Sequence, residues 1–202
     1  MERPEQIEEY LIKTRDYLDK AYLDNYKKIE KALKDNEKRL LEQLQKALQY
    51  GIDKAEQLQK AGKKGNIKYI SLSLLLSSIL TEEYSIGINF YDENFYLDEE
   101  TVFTEVKIEF IRELIKEYVE TDIKNLMIYY RQERINCPEN ELIELRKTQG
   151  IVYALLYSKW IIENIEKAAL RLEVKEMQTE ERIDFTYGMY LEKQEKIYQW
   201  EV

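Results

Sequence analysis

The spacing of apolar residues changes period along this chain, and that change restricts the fold to a mixture of helices and strands. Apolar side chains recur three or four positions apart in residues 1–60, 105–134 and 139–172, which is the period of an amphipathic α-helix. They recur at every second position around residues 67–97 and 183–200, which is the period of a β-strand. The pattern predicts an α+β fold that is mainly helical, with about four long helices and a small antiparallel sheet built from two hairpins.

The helical segments differ in how much of their surface is apolar. Residues 1–60 have apolar positions separated by charged ones, and the short polar pair Asp35-Asn36 can divide the segment into two helices. One continuous helix is the alternative. The middle of the last helical segment is apolar nearly all round, so we expect helix 139–172 to lie buried at the centre of the fold. We expect residues 1–60 to pack on an α+β core of residues 67–202, as a single globular unit.

The first segment with strand periodicity predicts a hairpin. A strand that ends near Phe90 is followed by a polar turn at residues 92–94 and by a returning strand at residues 95–97. Residues 74–80 fit either a strand or a short buried helix, because periodicity does not distinguish the two over so short a run.

A second hairpin is predicted near the end of the chain. Residues 183–191 alternate apolar and polar side chains, a polar turn follows at residues 192–195, and residues 197–200 return. The connector before the first strand, Gly62-Lys-Lys-Gly65, is typical of a mobile helix terminator with solvated lysines.

The composition excludes several common kinds of active site. The chain has no histidine and a single cysteine, Cys137, so it cannot form a Ser-His-Asp or Cys-His nucleophile pair or a common zinc site. Its six glycines form neither the dinucleotide-binding pattern nor a phosphate loop. These absences favour a non-enzymatic protein, and the sequence predicts no cofactor, no catalytic residue and no metal ligand set.

Negative charge is concentrated in one part of the chain. The formal net charge is −9 and the isoelectric point is about 4.9, which argues against sequence-independent nucleic-acid binding. Residues 69–106 contain no Lys or Arg, but they contain eight carboxylates, which nearly equal the net charge of the whole chain. These are Glu82, Glu83, Asp92, Glu93, Asp98, Glu99, Glu100 and Glu105.

The first hairpin is therefore the candidate functional surface. Tyrosine beside carboxylates is typical of a surface that binds a cationic protein, because tyrosine supplies contact area at a low cost in rotamer entropy. We expect Tyr91 and Tyr96 to lie beside the acidic turn, on the face opposite Phe90 and residues 95–97. The candidate partner-binding residues are Tyr91, Asp92, Glu93, Tyr96, Asp98, Glu99 and Glu100.

Three other interpretations fit the same residues or their neighbours. The acidic turn at residues 92–94 with Asp98 and Glu100 supplies the clustered oxygen ligands that Ca²⁺ prefers, so a carboxylate-based divalent-metal or small-ligand-binding enzyme is the alternative function. Charged residues on a strand also protect a sheet edge from pairing. Finally, residues 4–60 resemble a helical segment that can pair with another chain. The leading hypothesis is a non-enzymatic adaptor or immunity-like protein that binds a basic partner.

The sequence also favours a cytoplasmic protein of bacterial type. The first residues contain no apolar core of a secretory signal, and a single cysteine is typical of a reducing compartment. The longest apolar run, residues 69–80, is interrupted by serines and is too short to cross a membrane. Abundant Ile, Lys, Glu and Tyr with little Pro is typical of an AT-rich bacterial genome. The sequence does not define an oligomeric state.

Overall fold

The predicted α+β, mainly helical fold is confirmed by a computed structural model that describes residues 4–188 and 193–201. The fold combines four long helices with a five-stranded sheet, and side chains are described from residue 12 onward. Among these residues, no helix has both the length and the apolar character that a membrane span requires. The elements are α1 (Pro4–Asp35), α2 (Glu37–Lys60), β1 (Ile67–Leu74), α3 (Leu76–Leu80), β2 (Ile86–Tyr91), β3 (Val102–Val106), α4 (Glu109–Gln132), α5 (Glu139–Ala169), β4 (Thr179–Tyr187) and β5 (Glu195–Trp200).

The N-terminal segment is two helices rather than one. The chain leaves helical geometry at Asn36, between α1 and α2. The Asn36 side chain donates a hydrogen bond of 2.9 Å to the carbonyl of Ala32. It thereby competes with backbone N–H groups for this carbonyl at the end of α1. Helix α1 contacts α4 and α5, whereas α2 contacts β2, β3 and α5.

The sheet is mixed, so the predicted antiparallel sheet was wrong in one pairing. The strand order is β3-β2-β1-β4-β5, and β1 and β4 run parallel while the other neighbours run antiparallel. Ile70 of β1 lies between Phe90 of β2 and Phe185 of β4. Parallel neighbours need a long crossover, and here β2, β3, α4 and α5 lie between β1 and β4 in the chain.

The partner strand of β2 lies later in the chain than predicted. Residues 95–97 form a single 3₁₀ turn, and Val102–Val106 pairs with β2 instead. Phe95 has φ +53°, in the left-handed region that interrupts an extended strand. The ambiguous segment 74–80 is a strand end followed by the short helix α3. In the second hairpin β4 pairs with β5 antiparallel, and the predicted strand residues 189–191 lie outside the described residues.

One face of the sheet packs against α2 and α5. Helix α5 contacts α1, α2, α4 and the sheet, and it buries Tyr153, Tyr157 and Ile161. It ends at Ala169, three residues before the predicted boundary. The chain between α5 and β4 is fixed to α2, because the Glu56 carboxylate accepts backbone N–H bonds from residues 175–177 at 3.0–3.3 Å. These hydrogen bonds, that from Glu176 above all, lower the pKa of Glu56.

Helix α2 lies unusually close to β2 at Gly51. A Cβ atom at this position would lie 2.0 Å from the Phe90 ring, closer than van der Waals contact permits. Phe90 is fully buried, so its ring has no free space into which to move. The absence of a side chain at Gly51 therefore fixes the distance between α2 and the sheet.

We expect Gly51→Ala to lower the free energy of unfolding. Alanine favours a helix over glycine by about 1 kcal/mol, but overpacking against Phe90 costs about 1–3 kcal/mol. Urea unfolding measures the net change. In a Phe90→Leu background the same substitution should lower the free energy of unfolding by less, because the Phe90 ring is absent. An equal decrease in both backgrounds would contradict the contact between Gly51 and Phe90.

Candidate functional site

The eight carboxylates of residues 69–106 occupy two separate places rather than one surface. Glu82, Glu83 and Glu105 lie at the end of β2 where Ile86 pairs with Val106. The other five lie in or beside the loop that follows the opposite end of β2. The strand of six residues separates the two groups by about 20 Å. Concentration of charge in the sequence therefore becomes concentration in space only for residues 92–100.

Ion pairs neutralise half of these carboxylates. Glu82 pairs with Lys116, Glu83 with Arg112 and Glu105 with Lys107, each at 3.1 Å, and Asp98 pairs with Lys64. Within residues 4–188 and 193–201, no Lys or Arg lies within ion-pair distance of the remaining four carboxylates. These four are Asp92, Glu93, Glu99 and Glu100. All of them lie in residues 92–101, which we call the acidic loop.

The acidic loop is attached to the core by the buried ion pair of Lys64 and Asp98. The Lys64 side chain is 0% exposed and that of Asp98 is 3% exposed. The prediction of solvated lysines at residues 62–65 was therefore wrong for Lys64. Its ammonium group reaches under the loop because the connector after α2 runs beside it, and Gly65 lies directly against Asp92. Asp98, a predicted partner-binding residue, therefore holds the acidic loop to this connector.

Two aspartates use their remaining oxygen lone pairs to hold the loop backbone. The Asp98 carboxylate accepts N–H bonds from Asp92 at 2.9 Å and from Glu100 at 3.2 Å. The Asp92 carboxylate accepts the N–H of Asn94 at 2.8 Å, which closes a short turn. Charge-assisted bonds of this kind are stronger than neutral ones. Glu93, Glu99 and Glu100 remain exposed on the outer side of the loop.

The predicted tyrosines belong to an aromatic cluster under the loop. The Phe95 ring centroid lies 4.4 Å from that of Tyr96 and 4.9 Å from those of Tyr69 and Tyr91. Tyr91 is only 3% exposed, and Phe95 shares its face, so the prediction that these two lie on opposite faces was wrong. A left-handed non-glycine residue costs about 1–3 kcal/mol, and packing of the Phe95 ring offsets that cost.

Sequence reasoning missed two apolar side chains beside the exposed carboxylates. Leu97 is 83% exposed, and Phe103, just after the loop, is exposed as well. The predicted hairpin directed residues 95–97 into a strand, whereas the 3₁₀ turn directs Leu97 outward. The acidic loop therefore presents apolar surface together with negative charge.

The alternative of a divalent-metal site has no support from the arrangement of the loop. Among the residues described, no three Asp, Glu or Cys side chains converge closely enough to hold a metal ion. The Lys64 ammonium group already occupies the position beside Asp98 that a cation would need. A second positive charge there would be repelled.

A second polar cluster, also missed, lies buried between α1, α4 and α5. The Asp122 carboxylate accepts hydrogen bonds from Asn25 at 3.1 Å, from Gln149 at 3.2 Å and from the Tyr153 hydroxyl. The Lys28 ammonium group donates a hydrogen bond of 3.2 Å to Oδ1 of Asn25. Asp122 interrupts the apolar face of α4, so the sequence alone could have predicted a buried polar residue at this position. Its three donors come from α1 and α5, so the cluster joins these helices to α4.

We expect Lys64→Met to be strongly destabilising. It leaves the buried Asp98 carboxylate without a counter-charge, which typically costs about 3–5 kcal/mol. Urea unfolding measures the loss. The double variant Lys64→Met/Asp98→Asn removes the charge as well and should recover part of the stability. A Lys64→Met variant within about 0.5 kcal/mol of the natural protein would show that the pair is exposed in solution.

The pH dependence of stability tests the burial of Asp122. Burial raises the pKa of the Asp122 carboxyl above its ordinary value of 3.8, although hydrogen bonds from Tyr153, Gln149 and Asn25 oppose the shift. A raised pKa means that its contribution to stability is complete below pH 3.8 and is lost as the pH rises through the pKa of the folded state. The stability difference between the natural protein and Asp122→Asn should therefore fall as the pH rises from about 4 to 7. Parallel urea-unfolding profiles would contradict a buried carboxyl.

Comparison with known proteins gives no family to which these features can be assigned. No protein-family model matches the chain, and neither curated proteins nor solved structures gave a match. The function is therefore inferred from the residues of the acidic loop and from their surroundings.

Proposed function

We propose that this protein is a non-enzymatic interaction module of bacterial cytoplasmic type, an adaptor or immunity-like protein, whose acidic loop binds a basic partner protein. One observation carries the proposal. The four carboxylates that lack a neutralising Lys or Arg among the described residues lie together on a loop that a buried ion pair holds in place. Glu82, Glu83 and Glu105 are neutralised by Lys or Arg, so the unpaired negative charge of residues 69–106 is confined to the loop.

The loop has the physical properties that fast and specific association requires. Four unpaired negative charges within one loop attract a basic surface and orient it during encounter. Hydrogen bonds from the Asp92 and Glu100 amides to Asp98 fix the loop before binding, so less conformational entropy is lost on association. Exposed Leu97 supplies an apolar contact inside a charged rim, the arrangement that concentrates binding energy in few residues.

The test is affinity capture with charge-matched variants. The loop variant carries Asp92→Asn, Glu93→Gln, Glu99→Gln and Glu100→Gln. The control variant carries Gln at four exposed carboxylates elsewhere, Glu113, Glu117, Glu133 and Glu181. Each variant removes four of the nine excess negative charges. Capture from a lysate of the cells that produce the protein is quantified by mass spectrometry at rising salt.

We expect the natural protein and the control variant to capture the same basic protein, and we expect the loop variant to capture at least about tenfold less of it at low salt. High salt should weaken capture by the natural protein, because salt at about 1 M shortens the reach of surface charges to about 3 Å. Capture that survives neutralisation of the loop, or that falls equally in both variants, would overturn the proposal.

A further inference from the structure

Strand β3 is an edge of the sheet that no described part of the chain covers. It is the terminal strand in the order β3-β2-β1-β4-β5, so one side of its backbone faces β2 and the other faces outward. Every second residue of an antiparallel edge strand directs its N–H and C=O outward. No hydrogen bond between described residues reaches that outer side. Such an edge is a ready template for an additional strand.

A groove runs along this edge, between β3 and α2. It has a volume of about 450 Å³. Its α2 wall includes Ala47 and Tyr50, and Tyr50 is 54% exposed. The close approach of α2 to the sheet at Gly51 sets the position of this wall. A strand that paired with β3 would lie beneath the exposed Tyr50 ring.

A buried hydroxyl in the groove lacks a partner. Thr104 is 5% exposed and lines the groove, and its Oγ1 has no hydrogen-bond partner among the residues described. An unpaired buried hydroxyl is unfavourable, and most such groups in proteins are paired. Thr104 therefore offers an unused hydrogen bond at the centre of the edge strand.

The two ends of strand β3 differ in charge. Val102, the first residue of β3, follows the acidic loop with its unpaired Glu99 and Glu100. At the other end, Lys46 lines the groove, and Lys107 beside it is neutralised by Glu105. An extended ligand along β3 therefore meets negative charge at one end and positive charge at the other.

We propose that an extended peptide segment of the basic partner adds to β3 as a sixth strand of the sheet. Its basic residues lie against the acidic loop, its centre pairs with the β3 backbone and contacts Thr104, and its opposite end lies at Lys46. This inference rests on the proposed function, and it adds the binding mode. Backbone pairing supplies affinity, and the charge at the two ends sets direction.

The probe is a phage-displayed library of random octapeptides, selected against the natural protein. We expect enriched peptides to combine β-branched residues with Lys or Arg grouped at one end. A selected peptide is then synthesised in two forms, N-methylated at odd or at even positions, and binding is measured by fluorescence anisotropy. Only alternate N–H groups of an added strand face β3. One form should lose binding by at least about tenfold and the other should bind nearly as the parent does.

Groove variants give a second, independent readout. Ala47→Trp fills the groove and should lower the affinity for the parent peptide by at least about tenfold. Gln57→Trp, at an exposed position elsewhere on α2, should leave that affinity unchanged. Circular dichroism and thermal unfolding identify any variant that fails to fold. In that case the N-methylated pair decides the question, because it uses the natural protein.

Several outcomes would overturn the inference. They are a library that yields no enriched peptide, equal effects of the two N-methylated forms, and unchanged binding to folded Ala47→Trp. A dimer of the natural protein that Ala47→Trp dissociates would show that a second copy occupies the edge. If affinity capture of the basic protein still depends on the acidic-loop carboxylates in any of these cases, the proposed function stands and only the strand addition fails.

Discussion

A buried ion pair between Lys64 and Asp98 fastens together two parts of the chain that the pairing of β1 with β2 places side by side. Lys64 belongs to the connector between α2 and β1, and Asp98 to the loop between β2 and β3. Removing both charges from water is costly, so the pair is stable only where further hydrogen bonds satisfy the carboxylate. The amides of Asp92 and Glu100 supply those bonds. One aspartate therefore fixes the connector, the start of the loop and its end.

The position of that pair decides which charges remain available. Lys64 neutralises Asp98 alone and lies underneath the loop, so it does not screen the glutamates on the outer side. Elsewhere in the acidic stretch, Arg112 and Lys116 of α4 reach Glu83 and Glu82. Carboxylates therefore lie at both ends of β2, but they are neutralised at its first end and mostly unpaired at its last end. The difference arises from which helix lies nearby.

The sequence predicted features that depend on local pattern and failed on those that depend on distant contacts. The period of apolar residues predicted the long helices and β1, and the polar residue Asn36 marked the break between α1 and α2. The parallel pairing of β1 with β4 joins residues more than 100 positions apart, and no local pattern specifies it. It forms because α4 and α5 together provide the crossover between the two strands.

The same distinction applies to the candidate site. The charge pattern predicted the region of the acidic loop, because residues 69–106 contain eight carboxylates and no Lys or Arg. Burial of Lys64 and the left-handed backbone of Phe95 were not visible, since both are fixed by tertiary contacts with Asp98 and with Tyr69 and Tyr91. The alternating pattern therefore predicted a strand at residues 95–97, where the structure has a 3₁₀ turn. For the same reason it did not predict that Leu97 is exposed.

Amide hydrogen exchange, measured by NMR on the natural protein, tests most directly whether the acidic loop is held rigidly from beneath. The amides of Asp92 and Glu100 donate to the buried Asp98 carboxylate. We expect both to exchange at least about tenfold more slowly than in an unstructured peptide, while the exposed amides around them exchange freely. Exchange of these two amides at unprotected rates would contradict a loop fixed by the Lys64–Asp98 pair.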